Sequence, residues 1–186
     1  LTDLAICDTR TGEGIGVFRL SDKKVQINAN LSMEVTFYET LQEAQDGLNA
    51  LNETSYTNTT PYSQLIYVRV LDPVTGCFKV GSFKLVVNSY PKFDLVNGAV
   101  IHSCTTSTTG LGVFNLIEHA KLHTTSSNDF SFTFHETQSN ADKGIDAIKS
   151  PEAYTNVKVG VGSVFIRIVH NKTGCVGTYE VALEVT

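Results

Sequence analysis

Tryptophan is absent from this chain, which removes the side chain best suited to an exposed aromatic platform. No apolar run approaches the roughly 20 residues a membrane-crossing helix requires, so direct membrane insertion is not expected. Basic residues are outnumbered: 14 Lys and Arg stand against 19 Asp and Glu, for a net charge of −5. With no basic face, nucleic acid is excluded as the expected partner. No close Cys-x-x-Cys pair with a histidine partner occurs, so zinc is not expected. No Gly-x-Ser-x-Gly turn is present either. The chain therefore reads as a non-enzyme with no cofactor. It has neither an initiating Met nor a signal peptide. That fits a piece of a longer exported protein whose targeting signals lie elsewhere.

What the chain does contain, it contains twice. Cys7 recurs as Cys104, and Gly16-Val17-Phe18 as Gly112-Val113-Phe114. Thr36-Phe37-Tyr38-Glu39-Thr40 recurs as Thr133-Phe134-His135-Glu136-Thr137, Tyr56-Thr57-Asn58 as Tyr154-Thr155-Asn156, and Thr75-Gly76-Cys77 as Thr173-Gly174-Cys175. Self-similarity at a fixed spacing signals tandem modules, here residues 1–90 and 91–186. Tandem modules build length or valency more readily than an active site. The boundary falls near Ser89-Tyr90-Pro91, where proline interrupts the strand alternation. Tyr90 and Phe93 are expected to pack between the modules.

Each module alternates at period two. Ile66, Val68 and Val70 interleave with Tyr67 and Arg69; Phe83, Leu85 and Val87 with Lys84 and Val86; Val181, Leu183 and Val185 with Ala182 and Glu184. Such patterns place one set of side chains on a core face. Asp72-Pro73-Val74-Thr75-Gly76 and Asn171-Lys172-Thr173-Gly174 read as hairpin loops. Many short strands with regular turns predict an all-β fold of two β-sandwiches. Short helical crossovers are expected at Leu41 to Gly47 and Ser139 to Gly144.

The four cysteines allow three pairings. The repeat favours Cys7–Cys77 and Cys104–Cys175, because each module then closes itself. Disulfides in turn imply an oxidising compartment.

Cys, then Gly-Val-Phe-x-Leu, then Thr-Phe-Tyr-Glu-Thr, then Tyr-Thr-Asn, then Ile-Tyr-Val-Arg-Val with Thr-Gly-Cys-Phe: this succession resembles the repeats of very large surface proteins of gliding Bacteroidetes. Those proteins are exported by the type IX secretion system, and the SprB-type gliding adhesin is an example. The resemblance covers nearly the whole chain, twice. It implies Ig-like sandwiches in a long array at the cell surface, attached to the outer membrane through the parent protein. The implied partners are neighbouring repeats, a surface polysaccharide or other adhesion ligand, and the motility machinery. The alternative function is a carbohydrate-binding accessory module of a secreted hydrolase.

Many members of that family carry an acidic turn after the first cysteine. Here Asp8 and Glu13 retain part of it, and the second copy, Thr105 to Gly110, carries no carboxylate. Calcium needs about six to eight oxygen ligands. A site at Asp8 and Glu13 would need backbone carbonyls or Glu39, so no metal is expected. His119 and His123, four apart, read as a solvated loop pair, because the first copy has no matching histidines. His135 replaces Tyr38 and reads as a half-buried or surface ring. Glu39 and Glu136 are expected to serve turns or hydrogen bonds, and Arg69 and Arg167 to lie on the outer face or snorkel over the sheet. Asn30, Asn52, Asn58 and Asn171 head Asn-x-Ser/Thr triplets, acceptor sites only in a eukaryotic secreted chain.

Overall fold

A computed structural model of the chain describes residues 1–27, 32–104 and 110–186. The chain divides into two compact units, Leu1–Ser89 and Tyr90–Thr186. The first contains β1 (Leu4–Cys7), β2 (Val17–Phe18), α1 (Lys24–Ile27), β3 (Glu34–Tyr38), α2 (Leu41–Asp46), β4 (Tyr56–Thr57), β5 (Ser63–Leu71) and β6 (Phe78–Asn88). The second contains β7 (Val100–Ser103), β8 (Val113–Phe114), α3 (Leu116–Leu122), β9 (Phe130–His135), α4 (Gln138–Lys143), β10 (Tyr154–Thr155), β11 (Val161–His170) and β12 (Val176–Val185).

Both units share one topology. In the first, a sheet runs β1-β6-β5-β3, and a smaller sheet pairs β2 with β4. β1 is parallel to β6, whereas β5 runs antiparallel to both β6 and β3. The second unit repeats this as β7-β12-β11-β9 with β10-β8. The third, fifth and sixth strands share one sheet and the second and fourth the other, an Ig-like division. The first strand joins the last, and a short helix, α2 or α4, takes the place of a strand between the third and fourth.

The alternating residues supply the cores. Phe18 of β2 and Tyr56 of β4 pack with Phe37, Ile66, Val68, Phe83 and Leu85 of the larger sheet. In the second unit Phe114, Phe134, Ile166, Ile168, Val181 and Leu183 do the same. Tyr90 and Phe93 belong to this second core. The Tyr90 hydroxyl accepts the Thr178 N–H at 3.1 Å. Tyr179 donates its hydroxyl to the Pro91 carbonyl at 2.6 Å. These residues thus seal the edge of their own module, a role the linker composition did not reveal.

The expected pairs Cys7–Cys77 and Cys104–Cys175 do not form. Cys7 and Cys175 are bonded in one disulfide that joins the two units, and Cys77 and Cys104 are free and exposed. The reason lies in strand register. Cys7 sits opposite Asn88, the last residue of β6, whereas Cys77 immediately precedes the first. β6 has 11 residues, and at about 3.3 Å per residue the two cysteines are roughly 35 Å apart. A disulfide needs Cα atoms within about 7 Å. The second unit has the same geometry: Ser103, before Cys104, pairs with Val185 at the end of β12, and Cys175 precedes its start.

Candidate functional site: a disulfide between repeats and two free thiols

The cysteines mark opposite ends of each module, and each end is built differently. Cys7 closes β1 and leads into a tight turn. The Asp8 carboxylate is buried beneath that turn. It accepts the Thr9 N–H at 2.7 Å and the Gly14 N–H at 2.9 Å. Gly14 adopts φ 69°, a conformation that favours glycine. Asp8 therefore organises the backbone, and Glu13 lies exposed beside it. Among the described residues no group of three or more His, Cys, Asp or Glu converges on a metal position. The corresponding turn of the second copy, residues 105–109, lies outside the described residues, as does Asn30.

Cys77 sits at the other end, in the β5–β6 hairpin. Gly76, at φ 73°, donates to the Asp72 carbonyl at 2.8 Å. The Asp72 carboxylate accepts the Val74 N–H at 2.9 Å and the Thr75 hydroxyl at 2.8 Å. These bonds, the Val74 N–H foremost, hold its carboxyl below the usual range. Ile27, Met33, Val70 and Phe78 line a groove of about 510 Å³ beside the Cys77 thiol. Cys175, its equivalent, is fully buried and disulfide-bonded. Cys104, equivalent to Cys7, makes a 3.9 Å contact between its sulfur and the Thr186 hydroxyl.

A family model for the "Flavobacterium inter-domain disulphide bond domain" matches residues 3–91 and again 100–186. The chain belongs to this family. Its two copies of the inter-domain disulphide bond domain coincide with the two repeats. No curated protein matches the chain. Among solved structures, the chain is similar to a SusE-like surface located polysaccharide binding protein from the Bacteroides thetaiotaomicron heparin utilisation locus. The identity is 10% and the TM-score 0.34, over 99% of this chain and 33% of that one. It is also similar to titin Ig tandem domains A164-A165 (10%, TM-score 0.29, 100% and 93% covered). Drosophila N-cadherin EC1-4 gives 13% and a TM-score of 0.26, over 85% of this chain and 42% of that one. At these scores the likenesses carry no argument about function.

The remaining repeated residues of the inter-domain disulphide bond domains bond within their own modules. Tyr56 donates to the Glu39 carboxylate at 2.6 Å, and Tyr154 to Glu136 at 3.3 Å. Burial, and then the Glu39 carboxylate, push the Tyr56 phenol up to about 12. Burial and Glu136 raise Tyr154 in the same way. Asn58 is buried; its amide accepts the Gly16 N–H at 2.7 Å and donates to the carbonyls of Gly14 and Thr60. Asn156 likewise accepts the Gly112 N–H and donates to Lys158. In the first repeat Tyr-Thr-Asn thus ends in a clamp on the turn after Cys7. Asn58 is no surface acceptor.

Arg69 donates to the carbonyls of Ala44 and Gln45 at 3.0 and 2.6 Å, and its guanidinium stacks on Phe78 at 3.6 Å. Arg167 repeats the bonds onto Ala141 and Asp142. Each arginine caps the helix that replaces a strand. His135 is fully buried rather than half-exposed, bonded to the Ile145 carbonyl at 2.7 Å and the Thr133 hydroxyl at 3.0 Å. His119 and His123 are not in a loop: His119 lies on α3 and His123 caps it. Both are half-buried around Phe93, and His119 meets the Gly98 carbonyl at 2.9 Å. The missed signal was Asn115, whose side chain accepts the Glu118 N–H, a helix cap.

Proposed function

We propose that this pair is a structural and adhesive segment of a long filament protein on a bacterial surface. Its consecutive repeats are locked to one another by disulfides, and it belongs to the class of gliding-motility adhesins exported by the type IX system. The observation that supports this reading is the Cys7–Cys175 bond, with Cys104 and Cys77 left free. The first-strand cysteine of one repeat bonds to the hairpin cysteine of the next. In a longer array, Cys104 takes the hairpin cysteine of a following repeat, and Cys77, in its apolar groove, takes the first-strand cysteine of a preceding one. Each bond removes two protons and two electrons from two thiols. These pass to a thiol–disulfide oxidoreductase or a small disulfide of an oxidising compartment.

Such an array transmits load through covalent bonds as well as through folded modules. The role is mechanical and non-enzymatic, with weak contacts that add through multivalency. The test is to append a further copy of residues 98–186 after Thr186, oxidise the protein, and map its disulfides. Cys104 bonded to the added hairpin cysteine supports the reading. Cys104 remaining alkylatable in the oxidised protein overturns it. Antibody labelling of intact, unpermeabilised cells tests the surface location.

A further inference from the structure

The two repeats differ at the position of the buried Gln64, and the difference leaves a pocket. In the first unit Gln64 lies opposite Leu85; in the second, Gly162 occupies that register position opposite Leu183. Gln64 is buried, and every polar atom of its amide is used. Its nitrogen donates to the Tyr56 hydroxyl at 2.7 Å, and its oxygen accepts the N–H groups of Thr59 and Thr60 at 2.7 and 3.3 Å. The second unit keeps the surroundings and lacks the amide. Tyr154 replaces Tyr56, and Val157 and Lys158 follow Asn156 as Thr59 and Thr60 follow Asn58. A Cβ on Gly162 would meet no atom within 4 Å. The resulting pocket measures about 260 Å³, and Glu136, Tyr154, Val157, Lys158, Gly162 and Ser163 line it.

We propose that this pocket binds the acetamido group of an N-acetylated sugar. The donors and acceptor that hold an amide in the first repeat stand here without that partner. By correspondence with Thr59, Thr60 and Tyr56, the main-chain N–H groups of Val157 and Lys158 are assigned to an amide oxygen and the Tyr154 oxygen to an amide N–H. Val157 and Leu183 offer apolar contact to the methyl group. Glu136, already bonded to Tyr154, disfavours an anionic ligand and accepts sugar hydroxyls, with Ser163 beside it. The volume falls just below the roughly 300–1,000 Å³ of whole-ligand pockets, which suits a substituent and part of one ring. A sugar is favoured over a peptide glutamine because the rim carries hydroxyl and carboxylate groups rather than an extended apolar track. This site does not depend on the disulfide between the repeats.

The test is an amide-resolved NMR titration of the whole chain with N-acetylglucosamine, glucose and a Gly-Gln-Gly peptide. N-acetylglucosamine is expected to shift the Val157 and Lys158 signals and to bind at least about tenfold tighter than glucose, the effect of two or three hydrogen bonds. Gly162→Gln, which restores the internal amide, is expected to abolish the shifts. Gln64→Gly is expected to create the same response at Thr59 and Thr60, and it tests the idea even if the first variant fails to fold. An equal response to glucose, a response to the peptide alone, or shifts that survive in a folded Gly162→Gln protein would overturn the proposal.

Discussion

Asn58 holds the turn that follows Cys7, and it does so with a side-chain amide in place of a ladder bond. Truncation of Asn58 leaves the Gly16 N–H without its side-chain acceptor and takes one of two donors from the Gly14 carbonyl, which keeps the Tyr62 N–H. Asn58→Ala is therefore expected to cost the first module about 1–3 kcal/mol, read as a lower urea midpoint with an unchanged slope. His119 provides a pH signature for the second module. Burial is the main cause holding its pKa below the usual 6.5. The unfolded chain then binds a proton that the folded one resists, so stability falls as pH drops through 6.5 toward the folded value. Thermal melts between pH 8 and 5, on either side of the ordinary histidine value, should show this loss. His119→Gln should flatten it.

At the scale of elements, local pattern and non-local register were read with different success. The hairpin loops, the alternating cores and the two helical crossovers were legible because each rests on neighbours in sequence. Thr40 and Glu43 form a capping box, and Gly47 ends α2 at φ 71°. Gly47→Ala is expected to cost about 1 kcal/mol, measured against the same change at Gly81, whose φ is not left-handed. Arg69 was legible as a repeated residue but not as a helix cap, because its partners lie on α2, far away in sequence. Arg69→Lys should weaken the module by about 1 kcal/mol, since an ammonium cannot lie flat on the Phe78 ring as the planar guanidinium does. The cysteine pairing was misread for a related reason. Matching positions suggested modules that close on themselves, whereas the parallel register of β1 on β6 puts the paired positions at opposite ends of a long strand. The Gly162 pocket was hidden because a glycine in a strand gives no sign of what its counterpart's side chain was doing.

At the scale of the molecule, each unit has its own core, and the disulfide is a link between folded bodies rather than a staple inside one. Pulled from its ends, the oxidised protein should withhold nearly all of its length. The loop from Cys7 to Cys175 contains roughly 170 residues, about 600 Å when extended, and a force trace should release it only after reductant is added. Two bridges inside the modules would hide two shorter lengths instead. The most direct test is peptide mapping under non-reducing conditions. Trypsin places the cysteines on peptides 1–10, 70–79, 93–121 and 173–186. The structure predicts that 1–10 is joined to 173–186, with Cys77 and Cys104 open to alkylation. Peptides 1–10 with 70–79, and 93–121 with 173–186, would contradict it.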